Sequence, residues 1–504
     1  MIAACTSGVP MKPARQLTAS ERDFFQRLAQ FIFSNPFSEP RARLLTELIP
    51  GITLPALLAD HLALSNIVAR KLERFDAGGP SRLGDFTADD RPLLETAYLY
   101  LTYHHFLEEL DRLIARQAHS ASPVEVWFAA ELYAEMGRRG FQDDAIGRYL
   151  AFFYQLRRAF YFIQHSLPGD SPSMRQLRLA LWNNTFTHDM HNFNQHLWDR
   201  MEDFSTLLLG ETGTGKGSAA AAIGRSSFIP YAPEQRCFVE NFATIFISLN
   251  LSQFPETLIE SELFGYQKGA FTGAINNHEG VFERCSAHGA LFLDEIGEVS
   301  APVQIKLLQV LQERTFVPLG SHTLKRFKGR VIGATNRPLG ELRAGGRLRD
   351  DLFYRLCSDV IVVPTLRVRL QEAPAELEQL LAILVERMTG EPSATLTEQI
   401  LAALKRDLPG DYAWPGNVRE LEQAVRRILL TGTYGGDRHE QSFVPDEAFL
   451  DLVRTGTLDA NELIGGYCAL LHRRYKTYVE VANRTGLDRR TVRKHLKTPG
   501  AEPT

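Results

Sequence analysis

Residues 206–224 read TLLLGETGTGKGSAAAAIG. A short apolar run, Thr206 to Leu209, leads into Gly210, Glu211, Thr212, Gly213, Thr214, Gly215 and Lys216. Gly217 and Ser218 then open a run of alanines. This is G-x-x-x-x-G-K between a strand and a helix, the context in which it works. The glycines let backbone N–H groups wrap phosphate oxygens, Lys216 reaches the β and γ phosphates, and the helix N-terminus adds a favourable field. Gly217 stands where a Ser or Thr usually meets Mg²⁺, with Ser218 one place late. Magnesium is therefore expected to lean on other groups and on water.

About eighty residues on, ALFLDE at 290–295 is an apolar strand ending in two acids. A buried strand delivers such carboxylates to the carboxyl edge of a parallel sheet, beside the phosphate loop. Asp294 is expected to hold Mg²⁺ and Glu295 to act as general base toward the attacking water. Further apolar runs at 244–249, 330–334 and 359–363 alternate with helical stretches, as in an α/β domain around a mostly parallel sheet.

Upstream of Pro168 the periodicity is helical. Ser20 is the expected N-cap of ERDFFQRLAQFIF, followed by helices at 54–75, 91–116, 123–138 and 143–165. Tyr149, Phe152, Phe153, Tyr154, Phe160 and Tyr161 crowd the last of these. They read first as core or a dimer seam and second as the lining of a ligand pocket. Residues 372–430 read as helix again, and the polar stretch 435–445 as linker. From 471 to 497, nine Lys/Arg face two acids. That basic island, with the pattern VEVANRTGLDRRTVRKHL at 479–496, predicts a helix-turn-helix with Asp488 as N-cap. It carries the electrostatic footprint expected for DNA.

The composition sets bounds. The chain has 504 residues, 44% hydrophobic and 23% charged, and a net charge of −4, which rules out global disorder and a wholly basic coat protein. Five scattered cysteines without a CxxC pair argue against a zinc site or a disulfide framework and suit a reducing cytoplasm. No apolar stretch is long enough to span a membrane, so a cytoplasmic location is expected. His188, His191 and His196 lie in an unusual segment, but their spacing does not favour a metal site.

With GAFTGA at 269–274 the chain resembles the sigma-54-dependent transcriptional activators, the enhancer-binding branch of the AAA+ ATPases. The resemblance runs from about 171 to 430. It includes SLN (248–250), ESELFG (260–265), FLDEIGE (292–298), QIKLLQVLQE (304–313), ATNRPL (334–339), RDDLFYRL (349–356) and WPGNVRELE (414–422). The resemblance implies an ATP-hydrolysing activator that remodels the sigma-54 RNA polymerase holoenzyme as a hexameric ring. It assigns Gly269, Ala270, Phe271, Thr272, Gly273 and Ala274 to sigma-54 contact, and Asn250 to coupling Glu295 to that loop through a hydrogen bond made when the loop is retracted. It makes Asn336 the first sensor, Arg419 the second, and Arg349 and Arg355 the fingers that reach a neighbour's nucleotide. In PTLRVRLQEA, Val368 replaces an acid usual in the family, so an ion pair is expected to be lost. The C-terminal module resembles a Fis-type domain, with Arg489, Arg490, Arg493 and Lys494 toward upstream promoter DNA.

The expected organisation is multidomain. A helical N-terminal regulatory domain at 1–168 answers to an unknown inducer. An α/β AAA+ P-loop ATPase at 169–365 carries a helical lid at 366–434. A linker at 435–458 leads to the all-α helix-turn-helix at 459–504. An AAA+ remodeller of another class, or a DNA-binding repressor with an impaired nucleotide site, are the competing readings.

Overall fold

The computed structural model describes residues 14–49, 61–77, 79–344, 348–436, 449–450, 453–456, 458–475 and 477–496. The chain forms two compact units, residues up to 398 together with 412–425, and residues 399–411 with 426 onward.

The first unit begins with helices α1 (Ala19–Phe33), α2 (Glu39–Leu48), α3 (His61–Glu73), α4 (Arg91–His105), α5 (Leu107–Ala118), α6 (Ala129–Arg138), α7 (Asp143–His165) and α8 (Pro172–Phe186). The cap of α1 is Thr18 rather than Ser20. Its hydroxyl accepts from the Glu21 N–H and the Glu21 carboxylate accepts from the Thr18 N–H, a reciprocal box that Ser20 cannot close from inside the helix. The single helix expected at 91–116 is two, broken at Phe106, whose buried ring stacks on Phe128. The helix expected from 123 begins only at Ala129, and the start of the one expected from 54 lies outside the described residues.

The described strands are β1 (Thr206–Leu209), the hairpin β2 (Tyr231–Ala232) and β3 (Cys237–Phe238), β4 (Phe246–Asn250), β5 (Ala290–Asp294), the hairpin β6 (Thr315–Phe316) and β7 (Lys325–Arg326), β8 (Arg330–Thr335) and β9 (Asp359–Val362). Five of them form one sheet in the order β4-β5-β8-β1-β9, every pairing parallel. Central β8 is buried along its whole length, which is why its sequence is a continuous apolar run rather than an alternation.

The boundary expected at residue 168 does not separate two cores. One apolar cluster runs from Phe25, Leu64 and Leu94 through Tyr154 and Phe162 to Ala219, Ile223, Phe238 and Phe292. Helix α7 lies against the phosphate helix (Lys216–Gly224). Arg158, fully buried, donates from its two terminal nitrogens to the Arg225 and Ser227 carbonyls, both at 2.7 Å. Gln155 donates to the Ser226 carbonyl at 3.0 Å. A helix leaves its last carbonyls without intrahelical partners. Here the preceding helical region supplies donors just beyond that end. Helix α8 ties in from a second side. Asn184 bonds Thr206 on β1 and Asp359 on β9, and the Arg330 guanidinium from β8 donates to Asn184. The histidine segment belongs to this core too: Phe186 and Phe193 pack edge to face at 5.3 Å, and among the described residues no cluster is arranged to hold a metal.

The segment 167–171 is pinned. The Arg178 guanidinium donates to the Leu167 carbonyl, Arg369 donates to the Pro168 carbonyl, and Glu376 accepts from both the Ser171 N–H and Arg369. The Arg369–Glu376 pair is almost wholly buried.

After β9 come helices Leu366–Glu372 and Glu376–Thr389. The next two, Ala394–Asp407 and Asn417–Thr431, are each divided between the units, so the lid expected at 366–434 is not one compact body. Most of the expected linker lies outside the described residues. In the second unit, helices Ala460–Tyr475, Tyr478–Thr485 and Arg489–His495 enclose Cys468, Leu471, Val481 and Val492. Gly486 ends the middle helix at φ +71°, and Asp488 caps the last by accepting from the Arg490 and Thr491 N–H groups. Among the described residues no helix is long and apolar enough to cross a membrane, and Cys237, Cys285, Cys357 and Cys468 are free thiols.

Replacing Arg158 by Ala leaves two buried carbonyls without donors and opens a cavity. Urea denaturation is expected to show a loss of about 3 kcal/mol, with the phosphate helix reporting it as strongly as α7.

Candidate nucleotide site and surface loop

The phosphate loop joins β1 to the phosphate helix as the spacing predicts. Gly213 and Gly215 have φ of +81° and +104°, values costly for any residue with a Cβ. At Gly213 a Cβ would also fall 2.2 Å from the Gly416 carbonyl oxygen. Lys216 is buried, and its ammonium donates to the Gly210 and Glu211 carbonyls at 2.8 and 3.2 Å. Burial lowers its pKa, and the charges of Glu295 and Asp294 partly oppose the shift. Thr214 is buried and closes the turn on the Glu211 carbonyl, while Gly217 and Ser218 are exposed. A Cβ at Gly217 would meet only Phe292, at 4.0 Å, so packing does not exclude a hydroxyl residue there.

Asp294 and Glu295 end β5 on the same sheet edge. Glu295 has φ +57° and ψ +46°, the left-handed region, which strains a residue with a long side chain. Its N–H donates to the Asp294 carboxylate at 3.1 Å, and its own carboxylate accepts from the Asn336 N–H at 3.3 Å. Burial raises its pKa, and the Asp294 charge adds to that. The Asn336 side chain donates to the Thr212 hydroxyl at 3.3 Å. The residue expected as first sensor therefore bridges the acidic strand end to the phosphate loop.

Asn250 lies in register with Asp294, as expected for the coupling residue. The hydrogen bond to Glu295 expected for the retracted loop is not made in this structure. Its side-chain oxygen accepts from the Ser252 N–H and hydroxyl at 3.0 and 2.8 Å, as a strand-end turn residue does. Glu295 is held by Asn336 instead.

Asn417 was not singled out by its sequence position. It is fully buried at φ +53°. Its side-chain oxygen accepts from the Leu366 N–H, and its amide donates to the Glu211 carboxylate and the Thr212 carbonyl. The Val418 N–H reaches the Gly213 carbonyl at 3.1 Å. Arg367 forks onto the Glu211 carboxylate. Glu211 is thereby held below the usual carboxylate range, chiefly by Arg367 and then by Asn417. Both arginines of LRVRL thus have acid partners, Arg367 in Glu211 and Arg369 in Glu376, so the ion pair expected to be lost at Val368 is replaced from elsewhere. Arg419 is exposed beside the loop, its Cβ 3.0 Å from where a Gly213 Cβ would stand.

Arg349 and Arg355 are exposed at the two ends of helix Asp350–Leu356. Arg349 forks onto Asp351 at 3.1 and 2.8 Å. That pair is solvent-exposed and therefore weak. The Arg355 Nε donates to the Leu311 carbonyl at 2.8 Å.

GAFTGA forms a closed tip. The Gly269 N–H donates to the Ala274 carbonyl and the Ala274 N–H to the Phe271 carbonyl. Tyr266 and His278 exchange backbone bonds at its base, and Leu319 braces the Gly265–Gln267 side. Phe271 is 44% exposed and touches Tyr266 edge-on at 4.9 Å. Thr272 is exposed beside it. In the second unit Arg489, Arg490, Arg493 and Lys494 lie exposed on or at the start of one helix.

The Sigma-54 interaction domain family matches residues 186–362. A Nif-specific regulatory protein of Azotobacter vinelandii is 38% identical over 283 residues, which cover 55% of this chain and 47% of that protein. The chain thus spans about half the length of that relative. Transcriptional regulatory protein ZraR of Klebsiella oxytoca is 36% identical over 344 residues, covering 65% of this chain and 68% of that protein. Among solved structures, NtrX from Brucella abortus in complex with ADP aligns over 74% of this chain and 80% of that one, at 21% identity and a TM-score of 0.41.

Asn417→Gly keeps the backbone conformation and removes only the side-chain bonds. It is expected to weaken ATP binding roughly tenfold, the worth of one or two buried hydrogen bonds to a charged partner. Equilibrium titration with a fluorescent ATP analogue reads this directly.

Proposed function

This chain belongs to the sigma-54-dependent transcriptional activators, and on that premise we propose that it hydrolyses ATP to remodel the sigma-54 RNA polymerase holoenzyme while held at upstream promoter DNA. The observation that carries the reading is the meeting of phosphate loop, Asp294, Glu295 and Asn336 at one sheet edge, in the same unit as an exposed aromatic loop tip.

Each group has a part in that reading. The loop N–H groups, Lys216 and Arg419 bind the phosphates. The donor set suits magnesium, which is commonly held by one or two carboxylates together with substrate phosphates and water. Asp294 would hold it, and the ion when bound offsets phosphate charge. Glu295 takes the proton of the attacking water. A raised pKa makes it a stronger base than an ordinary carboxylate, and Asn336 fixes its direction. Arg349 and Arg355, exposed on one short helix, act in trans on a neighbouring protomer's nucleotide in a ring, hexameric by family resemblance. The weak Arg349–Asp351 pair gives way when that happens. Phe271 and Thr272 engage sigma-54, and Arg489, Arg490, Arg493 and Lys494 engage DNA.

Thr272→Ala is expected to keep ATP hydrolysis within about twofold and to lose open-complex formation with the sigma-54 holoenzyme in a purified system; retained open complexes would contradict the assignment of the tip. Glu295→Gln is expected to lower turnover by about 10² or more while ATP still binds. Turnover should also fall with acid through the raised pKa of Glu295, its acid limb lying above the ordinary carboxylate value near ~4.3. A steady-state pH profile of kcat measures that limb.

A further inference from the structure

Between α1, α4, α7 and α8 lies a cavity of about 370 Å³, far from any residue assigned above. Its volume is in the range of small-molecule sites. Its walls are aromatic: Phe33, Tyr100, Tyr103, Phe152, Phe160 and Trp182 all face it. Two of the polar side chains on the wall are engaged elsewhere. Arg157 is forked onto Asp111 at 2.5 and 2.7 Å, and the Tyr149 hydroxyl donates to Glu95.

Arg41 differs from these. Its guanidinium lies over the Phe31 ring at 4.0 Å and gives one terminal nitrogen to the Phe31 and Ser34 carbonyls at 2.7 and 3.1 Å. Among the described residues no carboxylate pairs with it. Burial lowers its pKa to about 10, so it remains a cation at neutral pH. Arg41 is half-buried, and an anion meeting it from the cavity would offset the cost of that partial burial.

Two of the helices that wall the cavity, α7 and α8, also grip the nucleotide-binding fold. Phe152 and Phe160 of α7 face the cavity, while Gln155 and Arg158 of the same helix bond the chain just after the phosphate helix and Tyr154 stacks on Phe238 of β3. Trp182 of α8 faces the cavity, and Asn184, two residues on, binds β1, β8 and β9. A molecule that spreads or tightens α7 against α8 changes how both sit on the phosphate helix and the sheet. It acts to the extent that it binds the two arrangements unequally.

We propose that this cavity is an effector site for a small aromatic carboxylate, its ring among the aromatic walls and its anion on Arg41, and that occupancy alters nucleotide turnover through α7 and α8. Only the second half rests on the ATPase reading above.

The test uses the full chain with phenylacetate, indole-3-acetate and 1-naphthoate, each beside its neutral amide, in isothermal titration calorimetry and in an ATPase assay. At least one acid is expected to bind at one per chain, with its amide and the Arg41→Gln variant each weaker by roughly tenfold or more, the worth of a charge-assisted hydrogen bond. Bound acid should change turnover or the KM for ATP at least twofold. If Arg41→Gln lacks a cooperative melt, Thr96→Trp, which fills the cavity from α4, should abolish binding of acid and amide alike. No binding by any of the three acids, or binding indifferent to both substitutions, overturns the site. Binding that leaves an active ATPase unchanged overturns the coupling. Binding of an acid by a protein that hydrolyses no ATP upholds the site and counts against the ATPase reading instead.

Discussion

The guanidinium of Arg158 is a buried cation with no acid paired to it among the described residues, held by the carbonyls of Arg225 and Ser227 and lying over the face of Tyr154 at 4.4 Å. Burial lowers its pKa to about 10. Such a group is costly unless its donors are met, and here the two terminal nitrogens are met by the chain leaving the phosphate helix, while Nε finds no partner among the described residues. The N-terminus of that helix presents the phosphate loop, so the position of the loop depends on α7. Leu167, just past α7, comes within 4.0 Å of where a Gly215 Cβ would stand. The helical region before residue 168 is thus packed beneath the nucleotide site at both ends of one nine-residue helix.

Above the loop the constraint is polar. Asn417 gathers Leu366, Glu211 and Thr212 onto one side chain, and Arg367 closes on Glu211 from the other side. Asn336 then links Thr212 to Glu295. A shift in the phosphate loop is felt by Glu295 through two hydrogen bonds and by the segment 415–419 through three. Glu295, strained at positive φ, is the member of this set whose backbone has most to gain from a different conformation. From Asn250 the chain turns at Ser252, runs through helix Glu256–Phe264 and reaches the aromatic tip at Phe271. The tip is thus one short helix away from the end of β4.

Much of this was legible in the sequence because it is local. The strand–loop–helix reading of 206–224 holds to the residue for the strand, and the sheet strands begin and end within two residues of their apolar runs. The acidic end of β5 meets the loop because a buried parallel strand has one place to deliver its last side chains. What the sequence hid is what depends on distant partners. Thr18 and Ser20 are equally good caps on paper, and only the reach of Glu21 decides between them. Nothing in the local pattern marks Arg158, because its partners lie 67 and 69 residues away. Asn417 sat inside a motif read for its neighbours, and its buried role rests on Glu211 and Thr212, 206 and 205 residues back. The aromatic residues of α7 read as core or a dimer seam first and as a pocket lining second; Tyr154 lies in the core, Tyr149, Phe152 and Phe153 belong to both core and cavity wall, Phe160 lines the cavity, and Tyr161 is exposed.

The claim on which the account turns is that the N-terminal helices and the nucleotide-binding fold share one cooperative core. Native-state amide hydrogen exchange on the full chain tests it most directly. Helix α7 and the phosphate helix are predicted to open together, with the same opening free energy and the same dependence on denaturant. Exchange of α7 through a separate opening of much lower free energy, with the phosphate helix still protected, would contradict it.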